Sequence, residues 1–303
     1  MFAVTEVRTM KFQKEFEDHL SKTKRMAAAS RSAYLSDMLE FSAFAAKRGK
    51  EESEVGNSDV AAFLLELKQA GKSSSTVNRK LASIRCYYRC LMELGVVASD
   101  PTAGIKSPRI QRSEIEYLSL AEVETLLSSP DESVKGIRDR ALLELMYATG
   151  VRSGELVGIK LGDLNMKIGF VSCTREDGRV RMIPVGRPAR EALERYIGEA
   201  RPSLVARSEE DDGSLFVNYN GSALTRQGVW KIIKYYGEKS GLGEKINPQI
   251  LRNSFAAHMV QNGADLKSLQ ELMGYEDIMA TKIFVSLTKN RIIDVYDRTH
   301  PRA

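Results

Sequence analysis

Through the first hundred residues, apolar side chains recur at the three- and four-residue spacing of helices. In RSAYLSDMLEFSAFAAKRG, Tyr34, Leu35, Met38, Leu39 and Phe41 keep that spacing, and the run closes on basic residues and Gly49, a C-terminal signature. NSDVAAFLLELKQAG opens on a Ser/Asp cap and stops at Gly71. SSSTVNRKLASIRCYYRCLMELG places Val77, Leu81, Ile84, Tyr88 and Leu91 on one side, with Asn78, Arg79, Lys80, Arg85 and Arg89 largely on another. With a short helix around Phe12 to Leu20, these runs predict a four-helix bundle over residues 1–100.

The pattern then lapses. VVASDPTAGIKSPRIQRSEIEYLS carries Pro101, Gly104 and Pro108 and little periodicity, so residues 101–115 are expected to link two domains. The second, over residues 116–303, opens on Ser119 and Glu122 at capping-box spacing. A Leu- and Ala-rich helix follows from about Ile137 to Ala148 and breaks at Gly150. In FVSCTREDGRVRMIPV, two β-prone runs flank Asp177-Gly178, a hairpin signal. Helical runs return in PAREALERYI, LTRQGVWKIIKYYGEKSG, PQILRNSFAAHMVQNG, DLKSLQELMG and MATKIFVSL. The fold class read from this is mainly α with a small antiparallel sheet.

Composition changes the picture little. The 303 residues are 43% hydrophobic and 28% charged, which is enough for two cored domains. Cys86, Cys90 and Cys173 form no even framework and no C-x-x-C pair, so they read as free thiols of a reducing compartment rather than metal ligands. The amino terminus has no signal-like apolar run, and nowhere do eighteen apolar residues follow one another. The expectation is a soluble, cytoplasmic protein with no membrane partner. A net charge of +5 permits a polyanionic partner without requiring one.

Two arginines carry the candidate chemistry. Arg152, in ATGVRSGEL, follows the helix-breaking Gly150, and Glu155 lies where it can hold the guanidinium. Arg252, in PQILRNSFAAH, sits beside Leu251 and Phe255 on an amphipathic helix, where a half-buried cation requires an anion. Converging guanidinium groups match phosphate geometry, although either arginine alone reads first as a structural ion pair.

The order YATGVRSGEL, β-hairpin, LRNSFAAHMVQNGADLKSLQELMG and TKIFVSLT resembles the tyrosine recombinases of the phage integrase family, the Xer type most closely. The likeness runs from the first helices to the final HPRA. It implies a SAM-like DNA-binding bundle and a recombinase catalytic-type domain, closing as a C-shaped clamp on double-stranded DNA. In such enzymes a tyrosine attacks a backbone phosphate to leave a phosphotyrosyl link and a free 5′-hydroxyl, while two arginines stabilise the charge. A hairpin lysine and histidines assist with protons. The link conserves the bond energy, so no cofactor is implied.

Carried over residue by residue, Arg152 and Arg252 fall on the two arginines. Gln249 stands at the first histidine of H-x-x-R, where an amide can hydrogen-bond but cannot exchange protons near neutral pH. Tyr275 stands where LGH has its histidine. Counting back from Pro184, the hairpin lysine falls on Glu176, with Arg175 beside it. The nucleophile of I-Y-T-H is Phe284, which has no oxygen to attack with.

The resemblance also implies DNA contacts from Arg31, Arg79, Lys80, Arg85 and Arg89 in the bundle. In the second domain it points to Arg175, Arg179 and Arg181 on the hairpin, and to Lys231 and Lys234 beside Trp230. The tail RIIDVYDRTHPRA, through Ile292, Ile293, Val295 and Tyr296, resembles a segment handed to a neighbouring protomer, giving a cyclic tetramer with itself or a paralogous recombinase. The reading that follows is a DNA binder that has lost cleavage. Its alternatives are an active or engineered recombinase, with Tyr275 as a substitute nucleophile, and a protein-interaction module without DNA affinity.

Overall fold

The computed structural model describes residues 10–109, 115–175 and 177–284. The chain divides into two compact units, Met1–Arg112 and Ser113–Ala303.

In the first unit, α1 (Gln13–Asp18) runs into a π turn (His19–Thr23) and is followed by α2 (Ala28–Lys47), α3 (Asn57–Gln69) and α4 (Ser74–Glu93). Ser73 caps α4 by accepting the Thr76 N–H at 3.2 Å. Phe16, Leu20, Met38, Phe41, Leu81, Ile84, Tyr87, Tyr88 and Leu91 are fully buried and form its core, as the helical spacing of the last three helices requires. Residues 101–108, read from the sequence as the start of a linker, are strapped to this unit. Asn57 Nδ2 donates to the Ala103 carbonyl at 2.9 Å, Asn78 Nδ2 to the Pro108 carbonyl at 2.8 Å, and Arg85 to the Ile105 carbonyl.

The second unit begins with α5 (Leu120–Ser128), closed by the expected capping box of Ser119 and Glu122. Helix α6 (Val134–Thr149) starts one turn earlier than the apolar run suggests, because the Ser133 hydroxyl accepts the Gly136 N–H at 3.0 Å. Ala141, Leu142, Leu143 and Leu145 make it the centre of the larger core. There follow α7 (Ser153–Leu156), β1 (Leu164–Asn165), β2 (Phe170–Thr174), β3 (Val180–Pro184), α8 (Arg187–Arg195), α9 (Arg201–Val205), α10 (Arg226–Lys239), α11 (Pro248–Gln261) and α12 (Leu266–Met273). The sheet is antiparallel in the order β1-β2-β3, with Val171 opposite Ile183 and Cys173 opposite Arg181.

Residues 278–284 form a 3₁₀ segment rather than the α-helix expected for MATKIFVSL. The tail that carries Ile292, Ile293, Val295 and Tyr296 lies outside the described residues, as does Glu176. Cys86, Cys90 and Cys173 are free and buried. Among the described residues no helix is long and apolar enough to cross a membrane.

Candidate functional site

The site is assembled on the C-terminal end of α12. A helix leaves its last carbonyls without intrahelical partners, and its dipole makes that end negative, so cations are favoured there. Three arginines from elsewhere in the unit take those carbonyls. Arg181 Nε donates to Leu272 at 3.0 Å, Arg252 Nη2 to Met273 at 2.5 Å, and Arg175 Nη1 to Gly274 at 2.9 Å. Gly274 ends the helix in the left-handed region at φ 61°, and a Cβ there would come within 2.9 Å of Arg181 Nη1.

Arg252 comes from the middle of α11. Its side chain also donates to the Gly150 carbonyl, which ties the end of α6 to the end of α12. Gly150 adopts φ 58°, and a Cβ there would lie 2.4 Å from the Phe255 ring, so both conformation and space call for glycine. The turn it makes delivers Arg152 to the first residue before α7. The guanidinium carbons of Arg152 and Arg252 stand 5.6 and 5.1 Å from the ring centre of Tyr275. Tyr275 is thus the meeting point of the two arginines.

Burial strips water from Arg252, which is 3% exposed, and the neighbouring Arg152 charge adds to the effect; its pKa falls from 12.5 to about 10. Glu155 responds in the opposite sense. Burial alone would push its carboxyl up, but Arg181 holds it with bonds of 2.6 and 2.9 Å and the Arg152 N–H with one of 2.9 Å, bringing it down to about 2. The Arg152 guanidinium reaches the same carboxylate at 3.2 Å. Positive charge is left over where Arg152 and Arg252 converge, and this arrangement suits an anion with two acceptor oxygens.

The sequence-selected residues divide accordingly. Arg152, Arg252, Arg175 and Tyr275 come together. Gln249 donates to Asn253 Oδ1 at 2.8 Å along α11. Phe284 is fully buried and packs with Phe255, Ala256, Val260, Leu269 and Met273 in an apolar cluster against which Tyr275 also packs. Two of the expected DNA contacts are corrected. Lys80 is 6% exposed, and its ammonium is held between Asp37 at 3.0 Å and Glu40 at 2.8 Å inside the bundle. Arg181 is an internal brace of Glu155.

Both corrections had a signal in the sequence. Lys80 lies three residues after Val77 and four before Ile84, on the apolar stripe, and Arg181 lies two residues before the buried Ile183 on a strand. Among the other bundle candidates, Arg79 pairs with Asp37, Arg85 is engaged by the strap at Ile105 and Ser107, Arg31 lines a groove with Glu17 and Asp18, and Arg89 is exposed. Arg179 is exposed on the hairpin, Lys231 is exposed on α10, and Lys234 lies half-buried over the Trp230 ring at 5.9 Å. Among the described residues no group of His, Cys, Asp and Glu is placed to hold a metal ion.

Comparison with known proteins shows the family and the fold. Residues 116–291 match the model of the phage integrase family, and residues 14–95 match that of the phage integrase N-terminal SAM-like domain. The chain is 41% identical over 281 residues to the tyrosine recombinase XerD of Listeria monocytogenes, spanning 92% of this chain and 94% of that protein. It is 39% identical over 275 residues to the tyrosine recombinase XerC of a Roseiflexus species, at 90% and 88% coverage. Its fold is similar to that of the XerH site-specific recombinase bound to a palindromic difH substrate in a post-cleavage complex, with TM-score 0.73, 20% identity and 93% and 83% of the two chains covered. It is also similar to a lambda integrase tetramer bound to a Holliday junction, with TM-score 0.69, 17% identity and 92% and 78% coverage.

Proposed function

The chain belongs to the phage integrase family of tyrosine recombinases, and from that premise we propose that it binds double-stranded DNA and holds a backbone phosphate without cutting it. Arg152 and Arg252 take the non-bridging oxygens. Tyr275 fixes the two guanidinium groups and supplies a phenol that hydrogen-bonds the phosphate. No atom at Phe284 can form the bond to phosphorus, and Gln249 cannot relay a proton at neutral pH. The hairpin offers a guanidinium, Arg175, beside the position of the family's lysine ammonium, and the two groups are not interchangeable. The protein then acts as an architectural or regulatory partner, assembling through its tail with itself or with a cleaving paralogue in a ring on cytoplasmic DNA. Its bundle, residues 1–100, and its larger domain, residues 116–303, both contribute contacts, with Arg31, Arg79, Arg85, Arg89, Arg179, Lys231 and Lys234 as the remaining candidates.

The observation that carries this reading is that the two arginines converge on Tyr275 while Phe284 sits in the apolar cluster. The test is a salt titration of duplex binding by fluorescence anisotropy. Each neutralised phosphate contributes about −0.9 to the slope of log affinity against log salt. A steep negative slope, made shallower in Arg152→Ala and Arg252→Ala, supports the reading. Absent or salt-insensitive binding would leave a protein-interaction module as the better account.

One observation favours a second reading. The Tyr275 ring centre already lies within 5.6 Å of both guanidinium carbons, so its phenol belongs to the same site as the two arginines. On that reading the phenol gives its proton to solvent, its oxygen bonds to phosphorus, and the 5′-oxygen leaves, taking a proton from solvent. A covalent adduct that disappears in Tyr275→Phe would establish it.

A further inference from the structure

Immediately after Tyr275, Glu276 reaches back across the hairpin. Its Oε1 lies 2.8 Å from Arg175 Nη2 and 3.8 Å from Arg179 Nη1, and both arginines also touch Asp177. The carboxylate is 60% exposed and uses a single oxygen for both partners. The carboxylate that holds Arg181, on β3 of the same hairpin, is built differently. There Glu155 grips Arg181 through both oxygens and is 6% exposed. A buried two-pronged pair does not exchange its partner readily, whereas an exposed one-pronged pair does.

A phosphodiester offers two acceptor oxygens and one negative charge, the same chemistry as a carboxylate with better reach for a fork. Arg175 is anchored by Nη1 on the Gly274 carbonyl, so Nη2 can change partner while the side chain stays in place. We propose that Glu276 is a built-in competitor for the DNA backbone: in the free protein it occupies Arg175 and Arg179, and a phosphate replaces it when duplex binds. This rests on the DNA-binding reading above and assigns to the hairpin a residue that weakens that binding.

The test is anisotropy with a short labelled duplex at low salt, using full-length protein. Glu276→Gln keeps the shape of the side chain and removes its charge. Exposed ion pairs are weak, so affinity is expected to rise about two- to fivefold. That gain is expected to vanish in an Arg175→Ala/Arg179→Ala background, because no partner then remains to be released. Glu271→Gln, the same change in the last turn of α12, is expected to give less than half the gain. Unchanged affinity in Glu276→Gln would overturn the proposal, as would an equal gain in the double-arginine background, which would mark a general field effect. If the parent chain fails to bind duplex at all, the DNA-binding reading falls and this one with it; if the parent binds and Glu276→Gln behaves like the parent, only this one falls.

Discussion

Arg252 and Tyr275 are in face contact, with the guanidinium carbon 5.1 Å from the ring centre, and Arg152 meets the same ring at 5.6 Å. Two like charges are therefore held close together by one aromatic side chain. The hydroxyl also interacts with the Arg252 guanidinium, and substitution separates its share from that of the ring. Tyr275→Leu removes the ring and is expected to weaken duplex binding about fivefold, the worth of a partly buried cation–π contact. Tyr275→Phe keeps the ring and is expected to lose only a hydrogen bond to phosphate, about two- to threefold. Anisotropy on the two variants checks this order.

Glu155 joins the site to pH. Its ordinary carboxyl value of 4.5 is brought down to about 2 in the fold. A depressed folded-state value means that the stabilisation is complete above 4.5 and is lost as pH falls from there towards 2. Within that window this one group contributes a slope of up to about 1.4 kcal/mol per pH unit. Urea unfolding at neutral and acid pH measures it. Glu155→Gln is expected to flatten the acid limb. At neutral pH it is also expected to destabilise the second unit by about 3 kcal/mol, because Arg181 then lacks its counter-charge in a largely buried position.

Phe284 is packed in the apolar cluster of Phe255, Ala256, Val260, Leu269 and Met273. Restoring a tyrosine there places a hydroxyl among carbon atoms, at a cost of about 1–3 kcal/mol where no partner receives it. Phe284→Tyr is therefore expected to lower the melting temperature and to give no recombinase-level cleavage. Cleavage at ordinary recombinase rates by this single variant would show that Gln249 and the hairpin substitutions are tolerable.

The bundle contains two kinds of basic residue that a sequence cannot separate by type. Lys80 is enclosed by Asp37 and Glu40, whereas Arg89 is exposed. Lys80→Ala is expected to destabilise the bundle by about 2 kcal/mol and to leave the salt slope of duplex binding unchanged. Arg89→Ala is expected to leave stability within about 0.5 kcal/mol and to reduce the slope by about 1. Chemical denaturation and the salt titration distinguish the two.

What the sequence disclosed, and what it hid, follows from which interactions carry a residue signature. The helices of the bundle were legible because their apolar stripes repeat, and Gly150 because a left-handed turn excludes other residues. Arg152 and Arg252 stood out because a cation beside apolar neighbours needs an anion. The scaffold that gathers the arginines was not legible, since the carbonyls of Leu272, Met273 and Gly274 are the same group in every residue. Nor was the strap over residues 101–108, whose acceptors are again carbonyls, held by Asn57, Asn78 and Arg85. The placement of Arg181 follows from strand alternation and not from charge type, since its register opposite the buried Cys173 turns it inward.

The account rests on binding without bond breakage, and a nicked duplex tests both halves together. A labelled duplex with a nick near a candidate site traps a cleaved intermediate, because the short flanking fragment diffuses away and religation fails. The sample is divided between a native gel and a denaturing gel. The account predicts a shifted band on the native gel and free DNA alone on the denaturing gel, with the shift weakened by Arg252→Ala. A covalent protein–DNA band on the denaturing gel would contradict it, as would the absence of any shift on the native gel.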